Sequence, residues 1–224
     1  MGAARAGLRL VLFGAPGVGK GTQAAEIRRR IGIPHVSTGE MLRGAMSAGT
    51  PLGRRVREIV ESGGLVPDDL VGALVEERLE QEDARQGFLL DGYPRTLGQA
   101  RFLDEILDRR GRPLDRVVNI VLPEGEIVER LAGRRVCGSC GATYHARFSP
   151  PRVDGRCDVC GGTLGPRADD APETVAGRLR VYQEQTAPVL EHYKGKGLLV
   201  TVDGSGSPHE VLARIVASVP GLEA

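Results

Sequence analysis

Apolar residues follow two rhythms along this chain. Short β-branched and Leu-rich runs at 8–13, 33–36, Phe88–Asp91, 117–122 and 198–202 have the length and continuity of buried parallel strands. Between them, apolar positions recur every three to four residues at 22–30, 56–62, 69–80, 97–108, 124–131, 173–192 and Pro208–Ser218, which predicts helices. Strand and helix alternate. The pattern predicts an α/β fold, a doubly wound five-stranded parallel sheet with helices on both faces. Such sheets bind ligands at the carboxyl ends of their strands.

Two stretches break the alternation. Residues 37–66 are mostly helical and contribute no strand. Residues 133–170 are rich in Gly, Pro and Arg and hold all four cysteines. Both read as insertions, which leaves a core of 1–36, 67–132 and 171–224.

Composition narrows the function. The 224 residues suffice for one sizeable α/β domain with inserted subdomains. The net charge is +1 and Trp is absent, so a phosphate-rich polymer is a poor partner and base-stacking platforms are scarce. No signal peptide is expected before residue 10, and the run at 8–13 is too short to span a bilayer. The first few residues read as a disordered extension. These features predict a cytoplasmic protein that handles a small anionic ligand.

The first strand runs into Gly14-Ala15-Pro16-Gly17-Val18-Gly19-Lys20, followed by a helix. This is the G-x-x-x-x-G-K phosphate loop in its expected setting. Glycines let backbone N–H groups approach a polyphosphate, the helix N-terminus adds a favourable dipole, and Lys20 supplies a point charge. Gly21 stands where Ser or Thr usually follows the lysine, and Thr22 comes next. A generic GTPase does not read that way.

Cys137-x₂-Cys140-x₁₆-Cys157-x₂-Cys160 has the spacing of a zinc ribbon. Four thiolates would close a tetrahedral shell with no open position, so the expected Zn²⁺ is structural. Two disulfides or a nucleic-acid-binding ribbon share the pattern. The first is disfavoured in the cytosol, the second by the neutral charge balance.

Taken together, these motifs resemble adenylate kinases and their nucleoside-monophosphate kinase relatives. The segment Gly14 to Thr22 is similar to their phosphate loop. Ser37-Thr-Gly-Glu-Met-Leu-Arg43 resembles the start of their monophosphate-binding insertion, Gly87-Phe-Leu-Leu-Asp-Gly-Tyr-Pro-Arg95 their third-strand signature, and Gly133-Arg-Arg-Val136 the entry to their lid. Four-cysteine zinc lids occur in bacterial-type members. The resemblance covers the chain beyond about the first seven residues.

The resemblance implies roles. Arg43 and Arg95 would clamp the AMP phosphate as bidentate guanidinium groups. Thr38 and Gln99 would meet the adenine, with Gly64, Leu65, Val66, Gly92, Tyr93 and Pro94 completing the AMP site. Gly17, Val18, Gly19, Lys20, Gly21 and Thr22, with Arg130, Thr143, Tyr144 and Gly206, would hold ATP. Arg134, Arg167 and Arg178 would surround the transferred group and serve catalysis with Lys20 and Arg95; Arg134 would also touch ATP, and Arg167 and Arg178 AMP. Asp91 would hold Mg²⁺ through water. The Tyr93–Pro94 bond would be cis. Ala168 and Ala176 replace bases common in relatives. Arg28, Arg29 and Arg30 read as a surface face, and none of the four histidines as catalytic.

The implied reaction is ATP + AMP = 2 ADP in a monomer. An ionised phosphate oxygen is the acceptor, so no general base is needed. Water must be excluded, and the two insertions are the natural lids. Thr38 favours AMP over pyrimidine nucleotides. A GTP:AMP phosphotransferase, a pyrimidine monophosphate kinase, or a non-catalytic nucleotide switch built on a zinc ribbon are the alternatives.

Overall fold

The computed structural model describes residues 7–223, so the expected N-terminal extension lies outside the described residues. Five parallel strands form the central sheet: β1 (Arg9–Phe13), β2 (His35–Ser37), β3 (Phe88–Asp91), β4 (Arg116–Val121) and β8 (Leu199–Asp203), in the order β2-β3-β1-β4-β8. All five expected strands are present. From β1 the chain builds β2 and β3 on one side and then crosses to β4 and β8 on the other, so the order of winding reverses at β1, and the crevice at such a point is where these sheets bind ligands.

Side-chain alternation explains the two-faced packing. On β1, Leu10 and Leu12 enter one core and Val11 and Phe13 the other. On β3, Leu89 faces the first core and Phe88 and Leu90 the second. Helices α1 (Lys20–Ile31), α6 (Glu124–Ala132), α7 (Pro172–Val181) and α9 (Pro208–Ser218) cover the first face. Helices α2 (Thr38–Ser47), α3 (Pro51–Glu61), α4 (Asp68–Glu80), α5 (Leu97–Arg109) and α8 (Val189–Gly195) cover the second. Sequence sets several helix starts: Pro51 and Pro208 occupy the first turn, Thr50 and Thr96 cap with their hydroxyls, and Ser207 and Glu210 form a capping box.

The helix expected over 173–192 is three pieces. After α7 the chain makes a π-helical turn at Tyr182–Thr186, with Ala187 N–H donating to the Tyr182 carbonyl at 2.8 Å. Pro188 has no N–H to continue an α-helical ladder, which accounts for the break.

Both insertions have structure of their own. Helices α2 and α3 pack so closely that a Cβ at Gly53 would overlap the Ala45 carbonyl and lie 2.6 Å from Met46 N. The second insertion carries an antiparallel sheet of β5 (Arg134–Cys137), β6 (Thr143–His145) and β7 (Leu164–Gly165), in the order β6-β5-β7. Among the described residues no helix is long and apolar enough to cross a membrane.

Candidate active site

The loop between β1 and α1 is held open around its own lysine. Gly17 and Gly19 have φ of 91° and 98°, a backbone that only glycine adopts without strain. Lys20 Nζ donates to the carbonyls of Gly14 (2.7 Å) and Ala15 (3.0 Å). The first turn of α1 carries no acidic residue, so its positive end is free to meet an anion. Burial lowers the Lys20 pKa to about 8; the charge of Asp91 opposes that shift, and Arg95, Arg178 and Arg134 add to it.

Asp91 ends β3 beside Leu12 of β1 and Ser37 of β2, which places it at the mouth of the loop. Burial opposes its ionisation, but a contact with His35 Nε2 at 3.3 Å and the charges of Lys20 and Arg95 hold the carboxyl below its ordinary range. An ionised, acceptor-only carboxylate here fits a hard cation such as Mg²⁺ carried with a nucleotide. No local feature of the sequence marks His35 as a partner of Asp91.

A cleft opens beside this loop, lined by Thr38, Gly39, Leu42, Arg43, Val60, Gly63, Gly64, Leu65, Val66, Val71, Arg95, Gln99, Arg167, Asp169 and Arg178. Four guanidinium groups thus face one space with a single carboxylate. Burial pushes Arg43 down to about 10, and Arg167 adds to the shift. Burial likewise takes Arg178 to about 10, with Asp169 opposing and Arg167 and Arg134 adding. Burial lowers Arg95 as well. The site carries positive charge at a cost that a polyanion would relieve.

Asp169 and Asp170 hold the arginines meanwhile. Arg167 donates to both oxygens of Asp169 at 2.5 and 2.6 Å. Arg134 pairs with both oxygens of Asp170, and Arg178 reaches the Asp169 carbonyl (2.8 Å) and Asp170 Oδ1 (3.0 Å). Sequence reasoning missed these two acids. Their only signal is position, two and three residues after Arg167.

Thr38 is buried and donates through Oγ1 to the Gly92 carbonyl at 2.8 Å, which also accepts from Arg95 Nε at 2.7 Å. Tyr93–Pro94 is cis. Arg130 donates to the carbonyls of Val18 (3.3 Å) and Gly204 (3.0 Å) and lies 5.8 Å from the Phe148 ring centre, bringing the first loop, the lid and the segment before Gly206 together. Thr143 and Tyr144 lie on β6. The Tyr144 side chain turns to the cysteines: its hydroxyl accepts from Asp158 N–H at 2.8 Å and lies 3.5 Å from Cys157 Sγ.

The cysteines form one cluster. Their four sulfur atoms lie within 4.8 Å of one another, with Cys137–Cys160 and Cys140–Cys157 each at 3.5 Å. A tetrahedral zinc with bonds of about 2.3 Å needs sulfurs about 3.8 Å apart. A disulfide needs about 2.0 Å, so these are free thiols and not two bridges. The two knuckles repeat one another: Cys137 N–H donates to Ala142 and Cys157 N–H to Gly162, while Gly141 and Gly161 N–H groups return to Cys137 and Cys157. Backbone N–H groups of Cys140 and Ser139 face Cys137 Sγ, and the Tyr144 hydroxyl with the N–H groups of Cys160 and Val159 faces Cys157 Sγ, which favours the thiolate at these two sulfurs, while Cys140 and Cys160 are pushed up beside them. The donor set can hold a metal ion, and it fits zinc.

A phosphate loop at the switch point of a parallel sheet, an arginine-lined cleft and two inserted segments define a P-loop nucleotide phosphotransferase. The sequence profile described as adenylate kinase matches residues 12–198. Adenylate kinase of Moorella thermoacetica is 55% identical over 92% of this chain and 95% of its own. Those of Symbiobacterium thermophilum (54%, 95% and 98%) and Carboxydothermus hydrogenoformans (52%, 93% and 97%) are similarly alike. The chain belongs to the adenylate kinase family.

Proposed function

We propose that this chain transfers the γ-phosphoryl group of ATP to AMP in the cleft between the phosphate loop and Arg43, giving two ADP. The observation that carries the reading is the convergence of Arg43, Arg95, Arg167 and Arg178 on one cleft beside Lys20. Two polyanions must approach in line, and fixed positive charge offsets their repulsion.

In this reading Lys20 and the loop N–H groups hold the β- and γ-phosphates of ATP. Arg43 and Arg95 orient the AMP phosphate, and Thr38 and Gln99 meet its base. Arg134, Arg167 and Arg178 exchange Asp169 and Asp170 for phosphoryl oxygens as the reaction proceeds. Mg²⁺ bound with ATP would neutralise charge on the transferred group, and Asp91 would hold it through water. Residues 37–66 and 133–170 act as lids that exclude water. The cysteine cluster would hold structural Zn²⁺, which fixes the lid and takes no part in the chemistry.

The test is product analysis with Mg²⁺, ATP or GTP as donor, and AMP, GMP, UMP or CMP as acceptor. Two ADP per AMP, lost in Lys20→Ala, supports the reading. Transfer to UMP or CMP in preference to AMP overturns it.

A further inference from the structure

A glutamine amide can read a purine in either of two orientations. Adenine presents a donor at N6 and an acceptor at N1; a 6-oxopurine presents an acceptor at O6 and a donor at N1. Turning the amide by half a rotation exchanges its oxygen and nitrogen, so the same side chain can match either base. Selectivity then depends on whatever fixes the turn.

In this chain the turn is fixed from both sides. Gln99 Nε2 donates to Asp68 Oδ1 at 2.8 Å, and Gln99 Oε1 accepts from the Arg95 backbone N–H at 2.7 Å. The reverse orientation would put the amide oxygen against a carboxylate and the NH₂ group against an N–H. Each partner has only one chemical role, acceptor or donor, so each excludes the flip. Asp68 is itself anchored: Thr96 Oγ1 donates to its Oδ2 at 2.6 Å, and the same hydroxyl caps α5 by accepting from Gln99 N–H at 3.1 Å. The amide keeps a second N–H and a second lone pair, and Gln99 lines the cleft while only 3% exposed.

We propose that Asp68 is a specificity-determining positioning residue: by holding the Gln99 amide in one orientation, it makes the acceptor site read adenine over a 6-oxopurine. The inference rests on the reading that Gln99 meets the base of AMP. Asp68 opens α4, outside the cleft lining and on an exposed position, so it can be changed without excavating the core.

The test compares kcat/KM for AMP and IMP in wild type, Asp68→Asn and Asp68→Ala. An asparagine at this position can serve either orientation of Gln99, and an alanine neither, so only the Arg95 N–H remains to oppose the flip. The IMP-to-AMP ratio is expected to rise at least tenfold in both variants, with thermal melting showing a folded protein. A purely structural role for Asp68 lowers both substrates together. A ratio within twofold of wild type, or IMP transfer that stays undetectable in both variants, overturns the proposal. Failure of wild type to phosphorylate AMP would instead overturn the functional reading on which it rests.

Discussion

Arg134 at the entry of the lid and Asp170 at its exit form a bidentate ion pair, with their side chains 17% and 4% exposed. Asp170 also accepts from Arg178. Removing the carboxylate by Asp170→Ala leaves two guanidinium groups close together with their shared acceptor gone. We expect a loss of about 3 kcal/mol in stability, measured by denaturant melting. Saturating ADP should raise the melting temperature more in the variant than in wild type, because phosphate oxygens replace the missing carboxylate.

Lys20 sets a pH dependence. Burial lowers its folded pKa to about 8, so in the free protein it loses its proton as pH rises through that value. Below about 8 both folded and unfolded states are protonated and the burial penalty is fully present. Above it, up to the ordinary lysine range near 10.5, the unfolded state binds more protons, so this group makes stability rise with pH. Catalysis runs the other way: kcat/KM should fall above about pH 8. Nucleotide phosphates favour the charged form, so ADP binding at pH 8 should take up protons. Calorimetry in buffers of different ionisation enthalpy reads that uptake, and Lys20→Met should abolish it.

The cysteine cluster predicts about one zinc per chain by elemental analysis, from its four-thiolate geometry. Stripping the metal with a chelator should unfold residues 133–170 first, seen as loss of amide-exchange protection there. Protection of β1, β3 and β4 should persist. Simultaneous loss across the whole chain would show that the lid is not a separate unit.

Gly53 tests the first insertion. A methyl group there must displace the Ala45 carbonyl, which is backbone and cannot move aside cheaply. Gly53→Ala should therefore separate α2 from α3 and shift Arg43 and Thr38. KM for AMP should rise about tenfold or more while KM for ATP changes little; the magnitude corresponds to about 1.4 kcal/mol of lost binding.

Much of the fold is legible in the sequence. The five buried strands were visible as apolar runs, and the phosphate loop as glycines in strand-to-helix context. Strand order was not visible, because it depends on how crossovers pack and not on any one strand's sequence. The break at Tyr182–Thr186 was hidden by a helical period that continues through it. At the site, arginines inside motifs were legible. Asp68, Asp169, Asp170 and His35 were not, since an acid or a histidine far along the chain gives no local sign of the partner it will meet. The resemblance points Gln99 at the adenine of AMP, but not at the partners that its amide donor and acceptor each already have in the fold.

The lid leaves and re-enters the core at neighbouring points. β5 pairs with β7 through Val136–Gly165 and Cys137–Leu164, so outgoing and returning chain run side by side as a two-strand stalk. Everything beyond that stalk can lengthen, shorten, or exchange its cysteine knuckles for other packing without rerouting a strand of the central sheet. The stretch beyond the stalk is thereby free to diversify at a different rate from the central sheet and from Arg134 and Arg167, which flank the stalk.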